Sequence, residues 1–171
     1  MESVGAVERY RRWFEYERDS HARTLAALAA VPEELRAAEG YRRAVTLLAH
    51  VTQARRLWLH RLGAAAEGPT SVADFFPLGI ELAEVAARLE ATEAAWGEYL
   101  ARLTEAELAR VCEYRSLEGP RFRNTVEDIL TQLFGHSWYH RGQIALLLRA
   151  AGAQPAATDF IYWAREALPD A

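Results

Sequence analysis

Lysine is missing altogether: the 20 basic positions of this 171-residue chain are all arginine. No side-chain amine is present to form a Schiff base, which excludes lysine-dependent carbonyl chemistry. Cysteine occurs once, at Cys112, so no internal disulfide can form, and a cytoplasmic setting is the plain expectation. Long apolar runs are lacking, and no window reaches the uncharged length of a membrane span. The opening stretch "MESVGAVERYRRWFEYERD" is charged throughout, without the apolar core of a secretory signal. Positive charge is not in excess either. Twenty basic against 24 acidic residues give −4, so no basic surface advertises nucleic acid.

Strand patterning is scarce, and apolar residues recur instead at three- and four-residue steps. One helix is expected from about Val4 to Ala30, with Tyr10, Phe14, His21, Leu25 and Leu28 facing inward and Pro32 ending it. After the turn "PEELRAAEG", a second runs from Tyr41 to about Leu62, with Val45, Leu48, Val51, Leu57 and Trp58 as candidate core positions. The stretch from Ala64 to Pro77 is loose, and a third helix follows from about Leu78 to Leu103. Thr104 with Glu107 reads as a capping box for one short turn. The segment "RVCEYRSLEGPRFRN" breaks the period, and Gly119-Pro120 is turn chemistry, so a hairpin-like crossover is expected there. Asn124 and Glu127 read as the capping box of a fourth helix over 125–151, with Gly152 as its C-terminal glycine. A short helix around 160–168 finishes the chain. Four helices of similar length predict an all-α four-helix bundle, a single domain over 1–171, large enough to fold without staples.

The stretch "GHSWYHRGQIALLLRAAGAQP" sets two histidines, His136 and His140, four residues apart. On a helix that spacing puts both on one face, within reach of one metal ion. The same stripe holds Gln132, Leu133, Gln143 and Leu147, polar in the middle, whereas a packed core stripe avoids grouped polar side chains. Trp138 and Arg141 lie off it, which gives Arg141 a structural role. Two ligands make a poor site, and catalytic sites usually take three protein ligands. His21, His50 and His60 are the candidates for the third. His60 lies near a helix end beside Arg61 and reads as a surface residue. His21 sits on the apolar stripe of the first helix. His50 is mid-helix, with Leu47, Ala54 and Leu57 on its face. A lone inward histidine is more often a hydrogen-bonded core residue than a ligand. The same-face pair together with His50 points to a metal.

The chain resembles the DinB/YfiT-like superfamily of bacterial four-helix proteins. The resemblance rests on His50 in "LLAHVTQARRLWLHRL", on "GHSWYHRGQI" with His136 and His140, and on "LLRAAGAQPAATDFIYW" with its Gly-x-x-Pro and Asp159. Many relatives carry a Trp-Ala-Asn element in the first helix, where this chain has Asp19-Ser20-His21. The resemblance implies an up-up-down-down bundle with a long crossover between the second and third helices, which 64–77 can serve. It implies a divalent metal, zinc or nickel, on His50, His136 and His140. It also implies a homodimer, and activity as a thiol S-transferase or thiol-dependent isomerase using a low-molecular-weight thiol such as bacillithiol, mycothiol or glutathione.

A metal on three neutral imidazoles can activate either a thiol, for transfer to a small electrophile, or water, for hydrolysis. A third reading is a non-catalytic metal-binding dimer. Gln143, one turn beyond His140, is placed to orient a ligand. Arg43 and Arg61, on either side of His50 along its helix, are candidates to attract thiol carboxylates. Cys112 has no histidine near it in sequence and reads as a packed thiol rather than a nucleophile. Five tryptophans and seven tyrosines are many for a small bundle, and Trp58 and Trp138 are expected on outer faces, where a dimer would bury them.

Overall fold

Helical periodicity resolves into four long helices, three short ones and a hairpin in the computed structural model, which describes residues 5–169. In chain order they are α1 (Ala6–Ala29), α2 (Glu33–Arg36), α3 (Glu39–Arg61), α4 (Leu82–Ala101), α5 (Glu105–Ala109), β1 (Val111–Arg115), β2 (Arg121–Thr125), α6 (Val126–Ala150) and α7 (Phe160–Ala164). The expected start of the first helix at Val4 lies outside the described residues.

Two hydrophobic clusters fill the two ends of the bundle, and they reveal the helix directions. One gathers Tyr10 and Phe14 from the start of α1, Leu59 from the end of α3, Trp96 and Leu100 from the end of α4, and Ile129 and Leu133 from the start of α6. The other joins Leu28 at the end of α1, Val45 and Leu48 early in α3, Val85 and Leu89 early in α4, and Ile144 and Leu148 late in α6. Helices α1 and α6 therefore run one way, and α3 and α4 the other. The all-α bundle is as expected, but the order is up-down-down-up rather than up-up-down-down. Chain reach is the physical reason. Residues 30–38 span at most about 30 Å even when extended, less than the roughly 36 Å length of 24-residue α1. They can only turn the chain back. Arg36 tightens that turn by donating to the carbonyls of Ala29 and Val31, at 2.7 and 2.9 Å. The long crossover does fall between α3 and α4, over 62–81, and it lets those two helices run parallel.

Local chemistry sets the helix ends. Thr125, not Asn124, caps α6: its hydroxyl accepts from the Asp128 N–H at 3.1 Å, and the Asp128 carboxylate accepts from the Thr125 N–H at 3.0 Å. Asn124 is instead the last-but-one strand residue and accepts from the Tyr114 hydroxyl. Thr104 caps α5 from its hydroxyl alone, because Glu107 turns to Tyr99 and Arg110. Gly152 ends α6 with φ +76°, a conformation that favours glycine. The third long helix begins at Leu82 rather than Leu78, since Pro77 and Gly79, at φ +73°, hold the chain out of helix until then. The last helix is only Phe160–Ala164.

The hairpin pairs Val111 with Thr125 and Arg115 with Arg121. It covers the α3 end of the bundle. Trp58, expected on an outer face, is half-buried there: its ring meets Tyr114 edge-on at 4.9 Å, with the Arg61 guanidinium 4.8 Å from it. Cys112 is buried beneath the same hairpin. Large side chains such as Trp96, Leu48 and Leu28 are almost fully enclosed, each contributing about 1.5–3 kcal/mol relative to exposure. No helix among the described residues is long and apolar enough to cross a membrane.

Between the two apolar ends lies a polar layer. Glu17 and Ser20 of α1, Arg55 of α3, and Ser137 and Arg141 of α6 are all buried there. Glu17 pairs with Arg55, and Arg55 donates to the Ser137 hydroxyl at 3.1 Å. Arg141 lies 3.6 Å from Glu17 and donates to the Tyr16 hydroxyl at 2.9 Å. The structural role expected for Arg141 is thus a buried charged contact.

Candidate metal centre

Helices α3 and α6 form the most extensive contact between two elements of the bundle, and the three histidines meet across it. The Nε2 atoms of His50 and His140 each lie 3.1 Å from His136 Nε2. One ligand-type nitrogen from each ring falls within 4.8 Å of the others. The i, i+4 spacing on α6 places His136 and His140 side by side, with ring centres 4.4 Å apart. Antiparallel packing brings the midpoint of α3, and with it His50, opposite them.

The far side of two rings is anchored to oxygen. His50 Nδ1 faces the Phe75 carbonyl at 3.1 Å, and His140 Nδ1 faces Gln143 Oε1 at 2.7 Å. An oxygen acceptor at Nδ1 holds the proton there and turns a bare Nε2 lone pair inward. Two such lone pairs point at His136 Nε2, which can offer at most one hydrogen. The third partner is a natural place for a cation. Three nitrogens at 2.0–2.1 Å from a tetrahedral ion sit about 3.3 Å apart, close to the two separations from His136. The residues fit a divalent metal.

Electrostatics agree with that fit. Burial, then the nearby His140 and His50 rings and Arg55, push the His136 ring down to about 4. Burial and His140 lower His50, partly opposed by its bond to the Phe75 carbonyl. Burial lowers His140, with the Gln143 bond acting the other way. All three rings are therefore neutral at neutral pH, the protonation state a metal requires.

The crossover roofs the site. A single turn of 3₁₀ helix at Ala73–Phe75 delivers the Phe75 carbonyl, and the Phe76 ring stacks on His50 at 4.2 Å and 6°. Gln53 fastens the turn by donating to the Asp74 carbonyl at 3.0 Å. Asp74 binds back to the backbone N–H groups of Thr70 and Ser71, both at 2.9 Å. Tyr139, largely exposed, meets His140 edge-on from the other side.

The other sequence candidates fall elsewhere. His21 is buried in α1, with Nδ1 2.9 Å from the Glu93 carboxylate, and is not part of the triad. His60 is exposed, and its ring faces the Ala65 carbonyl at 3.3 Å. Arg43 is exposed. Arg61 is committed to the hairpin, between Trp58 and Tyr114 and donating to the Arg115 carbonyl at 2.7 Å. Gln132 is exposed rather than inward. Gln143 sits behind His140, on the ring nitrogen that faces away from the cluster, so it positions that ring. Sequence reasoning missed the Phe75 carbonyl, for which no side-chain signal exists. It also missed Glu17 and Arg55, whose letters look like ordinary surface charge.

Three neutral imidazoles from two antiparallel helices of a four-helix bundle define a class of bundle proteins with a tri-histidine metal-type centre. Within that class the chain belongs to the DinB family, whose family model matches residues 5–169. No curated protein and no solved structure matches it.

Proposed function

We propose that this protein is a metal-dependent enzyme that transfers a low-molecular-weight thiol to a small electrophile, with zinc or nickel held by His50, His136 and His140. The observation that carries this reading is the convergence of three neutral Nε2 donors, those of His50 and His140 each 3.1 Å from that of His136, a set that leaves further coordination positions for a small molecule. A divalent ion on neutral ligands keeps its full charge and favours the thiolate form of a thiol cosubstrate at neutral pH. The chain's own residues supply the rest. The Phe75 carbonyl and Gln143 fix the orientations of the His50 and His140 rings, Phe76 covers the face of His50, and Tyr139 meets His140 edge-on. Transfer forms one carbon–sulfur bond, and the leaving group departs with its electron pair while the thiol proton goes to solvent. Because Cys112 is buried under the hairpin, the thiol is a cosubstrate rather than a side chain.

The test uses protein purified without a histidine tag, loaded with zinc or nickel. It is mixed with a panel of low-molecular-weight thiols and an electrophile that absorbs on conjugation. Transfer is expected to require the metal and to vanish in His140→Ala. Rates equal to background for every thiol, in protein that retains one metal per chain, would remove the transferase reading. Metal-dependent ester cleavage without thiol would replace it with a hydrolase.

A further inference from the structure

Arg55 and Arg141, each with a side chain no more than 4% exposed, share one carboxylate, Glu17. Guanidinium groups do not lose their protons in proteins. A further carboxylate, Glu93, acts on Arg55 and lies 2.9 Å from the His21 ring, which leaves Glu17 as the carboxylate beside Arg141. Arg141 is the less satisfied of the two arginines: its Nε and Nη1 atoms are buried without a hydrogen-bond partner. Buried guanidinium donors without acceptors are costly unless something answers them.

Arg141 also lines a cleft of about 420 Å³ between α6 and the C-terminal segment. Such a volume suits a small molecule. One wall is Trp138, Gly142, Ala145 and Arg149 of α6, and the other is the chain from Gln154 to Phe160. The tail is pinned in place by the Tyr16 hydroxyl, which donates to the Thr158 carbonyl and in turn accepts from Arg141. Phe160 meets Tyr16 edge-on at 5.0 Å, closing the end of the cleft with aromatic surface. Arg149 makes no ion pair with any described residue and adds a second cation to the wall. Asp159 contributes the one opposing charge. Positions two apart on a helix point about 200° from each other, so Trp138 and Gly142 lie on the far side of α6 from His136 and His140. The cleft is separate from the metal centre.

We propose that this cleft is a binding site for a small organic carboxylate with an apolar body. Its anionic group sits at Arg141 and Arg149, and its body lies against Trp138, Ala145 and Phe160. The anion supplies acceptor oxygens to the guanidinium groups of the cleft, and charge-assisted bonds to such groups are the strong ones. The aromatic surfaces favour a body such as a ring over a bare ion.

The experiment is an isothermal titration of metal-stripped full-length protein with sodium benzoate, acetate, inorganic phosphate and the neutral analogue benzyl alcohol. Benzoate is expected to bind one per chain, at least tenfold tighter than acetate or phosphate, with no binding of benzyl alcohol. Arg149→Gln should weaken benzoate about tenfold, and Ala145→Phe, which fills the cleft without changing a charge, should abolish binding while Tm stays near that of the unaltered protein. Asp159→Asn should tighten benzoate severalfold, the opposite of what loss of a merely structural residue gives. His140→Ala should leave the affinity unchanged. Failure of all three anions to bind would overturn the proposal. So would benzoate binding that survives both Arg149→Gln and Ala145→Phe, binding weakened by Asp159→Asn, or binding lost in His140→Ala.

Discussion

Replacing Gln143 with alanine tests whether the histidine cluster is a metal site built to hold its rings in place. Gln143 accepts from His140 Nδ1 at 2.7 Å and is, among the described residues, the one side chain that anchors a ring of the triad from behind. Loss of such a partner typically loosens a metal about 10–100-fold, or about 1.4–2.7 kcal/mol at 1.36 kcal/mol per tenfold. A ligand at 100 times its Kd stabilises the native state by about 2.7 kcal/mol. For a chain of 171 residues, each kcal/mol raises Tm by roughly 2–4 °C, so zinc should raise Tm by about 5–11 °C. At the same free zinc, the variant retains only about 0.4–1.4 kcal/mol of that stabilisation. Competition with a chelating dye gives Kd, and a thermal melt gives the shift. Gln143→Glu keeps an acceptor oxygen and should hold zinc within threefold of the unaltered protein. The metal-free melting point of Gln143→Ala should barely move, because the residue is only half-buried. A zinc Kd in Gln143→Ala within threefold of the original would refute the reasoning, since His140 would then need no anchor.

Removing Glu17 strands two buried guanidinium groups, so Glu17→Ala should lose about 3–5 kcal/mol in urea unfolding, whereas Glu15→Ala, which breaks an exposed pair with Arg18, should lose no more than about 1 kcal/mol. Burial raises the Glu93 carboxyl to about 7; a carboxyl raised in the folded state stabilises below its ordinary range, and that stability is lost as pH rises through 7. Unfolding between pH 5 and 8 should therefore show a smaller decline in Glu93→Gln, and an unchanged pH profile would contradict the raised carboxyl. His50→Ala and His136→Ala should each abolish stoichiometric metal in elemental analysis, and full retention in either would overturn the site. Trp138, Tyr139 and Leu146 leave apolar surface on α6; sedimentation at high micromolar concentration is expected to show a homodimer, and a monomer throughout would remove that expectation.

Much of the fold was legible because burial writes a period into the letters. Val45, Leu48, Val51, Leu57 and Trp58 marked the inner face of α3; the first four are buried, and Trp58 is half-buried under the hairpin. Gly119-Pro120 marked the hairpin turn, and Gly152 marked the end of α6. Helix direction was not legible, because a stripe of apolar residues reads the same from either end. Only the reach of residues 30–38 decides it. The capping residue of α6 was misread by one position, since Asn124-x-x-Glu127 and Thr125-x-x-Asp128 are overlapping patterns of equal chemical merit, and strand pairing through Thr125 selects the second. At the site, the i, i+4 pair and His50 were visible because histidine is rare on an inner stripe. Arg61 was misjudged because an arginine near a helix end looks solvated until a hairpin is folded over it.

The acceptor behind His50 is a main-chain carbonyl, that of Phe75. No single substitution deletes a peptide oxygen, whereas Gln143 can be lost in one. The two anchors therefore age differently over evolutionary drift. The crossover can exchange most of its letters and keep its hold on His50, provided its length and the 3₁₀ turn survive. An insertion or deletion of one residue between 62 and 73 would slide the carbonyl off the ring while leaving every histidine in place. Across descendants of this chain, spacing through the crossover is the trait that should breed true with the metal centre, and the identity of the residues along it should not.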